Sequence, residues 1–84
     1  MMPAPTTAQT AALEALRVGE PYVQEMINEY NRRRVLIVGG LNRLGLPTFE
    51  PRGAFYAFPE ISVTGMDDET FSQKLLEEER VAVV

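Results

Sequence analysis

Between Pro21 and Leu44 the apolar residues Val23, Ile27, Tyr30, Ile37, Leu41 and Leu44 recur in steps of four and three, with Arg34 the one polar residue on the stripe. That spacing marks one face of a helix. Pro21 suits a first helical position, because its missing N–H has no partner there anyway. Gly45 suits the stop. A helix over 21–44 measures about 36 Å, against a radius of gyration of about 12 Å for a compact domain of this size. It therefore runs the full width of the domain or beyond, which hints at a missing neighbour. Upstream, after an irregular Met1–Pro5, Ala8 to Arg17 is rich in helix formers and predicts a short helix near 7–17. Thr6 or Thr7 would cap it, with Thr6-x-x-Gln9 at capping-box spacing, and Gly19 would end it.

Past Gly45 the pattern changes. Leu46 to Gly53 carries two prolines and reads as an extended segment closed by the turn Pro51-Arg52-Gly53. Ala54-Phe55-Tyr56-Ala57-Phe58 predicts a strand over 54–58, ended by Pro59. Phe55 and Ala57 would then face one way, and Ala54, Tyr56 and Phe58 the other. Asp67 or Asp68 caps a third helix over 68–79 whose buried side is Phe71, Leu75 and Leu76. Val81–Val84 predicts a terminal apolar strand able to pair with the first. The expected fold class is α+β: a long helix and two further helices packed on a small sheet. Its core is expected to hold Leu16, Ile27, Tyr30, Ile37, Leu41, Phe58, Phe71 and Leu75.

Composition narrows the function classes. Eighty-four residues make one domain at most, and 45% hydrophobic with 24% charged residues is a globular balance. A net charge of -4 argues against a phosphate backbone as main partner, so no nucleic acid is expected. Histidine and cysteine are absent, which removes the thiol nucleophile, the disulfides, the usual zinc ligands and the usual general base together. No apolar run approaches ~18 residues and no signal-peptide core precedes the first helix, so no membrane partner is expected and the cytoplasm is the expected location.

The remaining candidate chemistry is thin. Val35-Leu36-Ile37-Val38-Gly39-Gly40 resembles a strand leading into a phosphate loop, but its glycines are spaced neither for a dinucleotide fingerprint nor for a Lys-Ser/Thr phosphate loop. A helix containing a costly glycine pair is the better reading. Arg32-Arg33-Arg34 spreads over ~200° of helical arc, so it makes no single phosphate-facing stripe. Glu25 and Glu29 lie at ion-pair spacing before it. Glu77-Glu78-Glu79 diverges around its helix and cannot converge on a metal ion. Lys74, the only lysine, stands among glutamates rather than in a desolvated site. Tyr22, Tyr30 and Tyr56 read as core or rim residues. No catalytic, cofactor-binding or metal-binding residue is expected in the chain.

Several segments taken together nevertheless resemble a known family. They are Gln9-x-Ala11-Ala12-x-x-Ala15-Leu16; Tyr22, Met26 and Tyr30 before Arg32-Arg33; Leu41-Asn42-x-x-Gly45; Pro51-x-Gly53-Ala54-Phe55-Tyr56-x-Phe58-Pro59; and Phe71, Leu75-Leu76-x-Glu78 and Val81–Val84. From about Gln9 to Val84 this order resembles the C-terminal (small) domain of class I/II aminotransferases, the aspartate-aminotransferase-like pyridoxal-phosphate enzymes of fold type I. The resemblance implies transfer of an amino group between an amino acid and a 2-oxo acid, in a parent enzyme that is a homodimer holding pyridoxal phosphate on a large domain. The Schiff-base lysine, the groups around the pyridine ring and the phosphate-binding arginine would precede this segment, and the carboxylate-binding arginine would follow it. No cofactor is then expected in the chain itself. By the same resemblance, Phe55 borders the substrate pocket and Gly53 lets its strand approach it. The chain is thus expected to be a single partial domain over 1–84, cut after Val84 and partnered by the missing large domain. Apolar residues on several sides of the long helix predict that alone it self-associates or orders only against another chain. The alternative is a free-standing, non-catalytic interaction or regulatory module.

Overall fold

The computed structural model describes residues 2–84. Its elements are α1 (Thr6–Val18), α2 (Glu20–Arg43), a 3₁₀ turn (Ser62–Thr64) and α3 (Asp68–Glu79). The chain divides into two units, one ending at Arg33 and one running from Arg34 to Val84, so the boundary falls inside α2.

The three helices lie within a residue or so of the spans that local sequence predicts, and their ends have identifiable causes. Pro5, not a threonine, stands at the N-cap of α1, with no side-chain cap. Its extended backbone aims a carbonyl at the Gln9 N–H (3.0 Å), while the Gln9 amide reaches back to the Ala4 carbonyl (2.8 Å). The expected capping box therefore does not form. Gly19 alone separates α1 from α2 and keeps near-helical angles, φ -80° and ψ -13°. Pro21 has no N–H to return to the preceding turn, so the ladder is interrupted there. At the far end of α2, Gly45 takes φ +84°. The Leu46 N–H bonds the Leu41 carbonyl and the Gly45 N–H bonds that of Asn42, both at 3.0 Å. These paired bonds make a Schellman stop, which needs a left-handed residue where glycine sits. The N-cap of α3 is Asp67, whose carboxylate accepts the Thr70 N–H at 2.7 Å. The Thr70 side chain, with that backbone bond adding, holds the Asp67 carboxyl below its ordinary value.

The expected α+β architecture is not what forms. The described residues contain no strand and no sheet; the chain is helical. One isolated antiparallel bridge, Thr48 to Pro59, is the only strand-like pairing among the described residues. Three features stop it from growing into a ladder. Thr48 and Pro59 are the pair whose own N–H and C=O groups point away from each other, and the adjacent Pro47 has no N–H to return the bond it accepts from Glu60. Ala54 sits at φ +58°, which breaks the extended backbone at the start of the predicted 54–58 strand. Phe55 and Tyr56, which would point to opposite faces of a strand, instead bring their rings to 4.7 Å at 37°. Residues 81–84 also stay outside any strand. The Val81 N–H bonds back to the Leu75 carbonyl at the end of α3, and Arg80 there adopts a left-handed φ of +58°.

The predicted core is corrected as well. No described residue is fully buried. Leu16, Ile27, Tyr30, Ile37 and Phe58 are exposed, whereas Leu41, Phe71 and Leu75 are half-buried, as are Val38, Leu46, Ile61 and Met66. All of these half-buried apolar side chains belong to the second unit.

Candidate functional site

The site residues read from the sequence, Gly53 and Phe55, lie in the loop 49–58 of the second unit. Two sets of backbone contacts pin the loop at its base. On one side, Thr48 faces Pro59 across the isolated bridge, and the Glu60 N–H bonds the Pro47 carbonyl at 2.7 Å. On the other, the side-chain amide of Asn42 on α2 meets the Thr48 backbone twice. Its Oδ1 accepts the Thr48 N–H at 3.0 Å, and its Nδ2 donates to the Thr48 carbonyl at 3.3 Å and to the Val38 carbonyl at 2.9 Å. The Thr48 hydroxyl turns back to the Leu46 carbonyl at 2.8 Å. A third pin is the ion pair between Arg34 of α2 and Glu50. Beside the base lies a hollow of about 430 Å³ lined by Asn42, Pro47, Phe49, Phe58, Pro59 and Glu60 among others.

At the tip, Phe55 is 73% exposed and stacks against Tyr56. A Cβ placed on Gly53 would meet nothing within 4 Å, so no close approach inside this chain explains that glycine. The left-handed residue of the turn is Ala54 rather than Gly53.

The other candidates resolve into ordinary structure. Val35–Val38 and Gly39-Gly40 are helical, inside α2, so the strand-and-phosphate-loop reading fails. Within the arginine run, Arg32 and Arg33 both bond Glu29, at 2.7 and 2.9 Å. These bonds, Arg32 first, pull the Glu29 carboxyl from 4.5 down to about 2. Arg34 departs from the run to reach Glu50, sixteen residues on. No helical period encodes that pairing, and sequence reading missed it together with the Asn42 brace. The one available signal was Asn42 itself, a poor helix former placed three residues before the helix-ending glycine. Among the described residues no group of three acidic side chains could hold a metal ion, and no helix is long and apolar enough to cross a membrane.

Two comparisons set this geometry in a family. The family model for aminotransferase class I and II matches residues 1–84. The chain belongs to that family. An aminotransferase of Bacillus subtilis is 52% identical over 84 residues, which is 100% of this chain and 22% of the relative. The aspartate aminotransferase of Pyrococcus abyssi is 49% identical over 94% of this chain and 21% of its own length. Aromatic-amino-acid aminotransferase 2 of Thermococcus litoralis is 47% identical, with the same coverage. The chain therefore spans about a fifth of the length of these relatives. No solved structure matches it significantly.

The aminotransferase cofactor, pyridoxal phosphate, needs a lysine beside a pyridine-nitrogen partner and a phosphate site. The residues of this chain do not fit it. Lys74 is exposed on α3, where Gln73 is bonded to Glu77. The glycine pair that could have cradled a phosphate lies inside a helix whose N–H groups serve its own ladder.

Proposed function

We propose that this segment serves a pyridoxal-phosphate-dependent aminotransferase as part of its small domain, and that loop 49–58 forms an edge of the substrate pocket through Gly53 and Phe55. The cofactor, its lysine and the substrate-carboxylate arginine belong to the other four-fifths of such an enzyme, a cytoplasmic homodimer. The observation that carries this reading is the family match over the whole chain. The exposure of Phe55 at the tip of a pinned loop supports the pocket-edge role. An aromatic ring offered to a neighbour from a fixed base can exclude water from the space beside it without taking part in bond-making. Relatives of nearly equal identity are named for aspartate and for aromatic amino acids, so identity over this segment does not separate the two.

The test is a graft in which these 84 residues replace the corresponding part of the Bacillus subtilis relative. The graft is expected to turn over L-aspartate or L-phenylalanine with a 2-oxo acid acceptor. Phe55→Ala in the graft should raise KM about tenfold and change kcat little, the signature of binding lost equally from ground and transition states. A graft that folds and holds its cofactor but has no transaminase activity would overturn the reading. An unchanged KM in the Phe55 variant would remove the pocket-edge role alone.

A further inference from the structure

We infer that Asn42 is the positioning residue of loop 49–58: its side-chain amide replaces a missing strand neighbour for Thr48 and so fixes where the loop presents Gly53 and Phe55. The functional half of this inference rests on the pocket-edge reading above.

Thr48 begins the loop, and its N–H and C=O would need partners if the segment were part of a sheet. Neither Pro47 nor Pro59 can donate, and at the base the Glu60 N–H bonds the Pro47 carbonyl. The Asn42 amide carries both a donor and an acceptor in one plane. Oδ1 takes the Thr48 N–H and Nδ2 gives to the Thr48 carbonyl, which is the double contact that a strand residue makes. The same Nδ2 bonds the Val38 carbonyl one turn back on α2, and this holds the side chain against its own helix. The brace therefore ties the loop to α2 rather than to another loop. Asn42 also lies just before the Schellman stop at Gly45, so the reversal of the chain returns Thr48 to it. Leucine at this position keeps the volume and removes every bond. Aspartate keeps the acceptor for the Thr48 N–H and removes both donors.

The test has two arms. In the full 84-residue chain, amide exchange at Thr48 should be slowed, Asn42→Leu should speed it about tenfold, and Asn42→Asp should fall between. Exchange along residues 35–41 of α2 should stay unchanged. In the graft enzyme, Asn42→Leu should raise KM about fivefold with kcat within a factor of two, and Asn42→Asp should recover part of that loss. Thr48 exchange indifferent to Asn42 overturns the brace. Faster exchange with unchanged KM overturns its role in positioning the pocket edge. Loss of transamination in the unmodified graft counts against the proposed function only, since the exchange arm still decides the brace.

Discussion

The two units of this chain are built from the same helix-forming material and are held in different ways. In the unit ending at Arg33, the ion pairs Arg17–Glu14, Arg32–Glu29 and Arg33–Glu29 join residues three or four apart. All its large apolar side chains among the described residues, from Met2 through Leu13, Leu16 and Ile27 to Tyr30, are exposed. In the unit from Arg34 to Val84, contacts cross longer stretches: Asn42 to Thr48, Pro47 to Glu60, Arg34 to Glu50. Its side chains Val38, Leu41, Leu46, Ile61, Met66, Phe71 and Leu75 reach half-burial. The first unit is secondary structure without tertiary structure; the second has the beginnings of a core. Helices shorter than ~12–15 residues are marginal in water by themselves, so α1 depends on whatever covers its apolar side chains far more than α3 does.

The largest effect expected from this contrast is a difference between two truncations. Phe71→Ala removes a half-buried ring and should destabilise the chain by about 2 kcal/mol, roughly half the loss at a fully buried site. Leu16→Ala removes a side chain that is 89% exposed and should stay within about 0.5 kcal/mol. Urea midpoints at several protein concentrations read both. A loss at Leu16 equal to that at Phe71, growing with concentration, would mean that copies of the chain cover the first unit, and the contrast would then hold only for the monomer.

The same contrast explains how much was legible from sequence. Helices answer to neighbours three and four residues away, so periodicity at Val23–Leu44, the Asp67 cap and the glycine at 45 were enough to bound α2 and α3. Strands answer to partners that local sequence does not name. Ala54–Phe58 has strand composition, yet Ala54 turns left-handed and Pro47 has no N–H to return the bond from Glu60. The core failed for a related reason. Leu16, Ile27 and Phe58 are apolar, and apolarity does not say whether a side chain is covered within these 84 residues. The pocket-edge candidates Gly53 and Phe55 came from resemblance, whereas the Asn42 and Arg34 contacts that pin their loop follow no period at all.

Two glycines, one in each unit, carry smaller single effects of opposite sign. A Cβ on Gly19 would stand 2.3 Å from the Ala15 carbonyl oxygen, a backbone atom that cannot swing away. Gly19→Ala should therefore destabilise the α1–α2 junction by about 1–2 kcal/mol. A Cβ on Gly40, inside α2, would meet nothing within 4 Å. Gly40→Ala should stabilise the chain by about 1 kcal/mol through helix propensity. Far-ultraviolet circular dichroism with urea titration reads both signs. Two losses would mean that a surface packs closely on the Gly40 face of α2, and two gains that α1 and α2 do not meet at a tight junction.

The smallest effect is electrostatic, and here the two units share a sign and differ in cause. Glu29 in the first unit is drawn down to about 2 by hydrogen bonds from Arg32 and then Arg33, with their charges adding. Asp67 in the second unit is held below 3.8 by the side chain and N–H of Thr70. Both carboxyls have folded values below their unfolded ones, so both stabilise the chain fully above the unfolded value and lose that contribution as pH falls through the folded one. For Glu29 the window runs from about pH 4.5 down to about 2. Salt separates the causes. Partner charges on an exposed helix are screened within about 3 Å at 1 M ionic strength, whereas a cap built from neutral donors is not a charge pair. Carboxyl carbon titration by NMR should give a Glu29 midpoint near 2 at low salt that rises at 1 M, while the Asp67 midpoint moves little. A Glu29 midpoint already at 4.5 in low salt would mean that Arg32 and Arg33 do not hold it, and that even the local contacts assigned to the first unit wait for a covering partner.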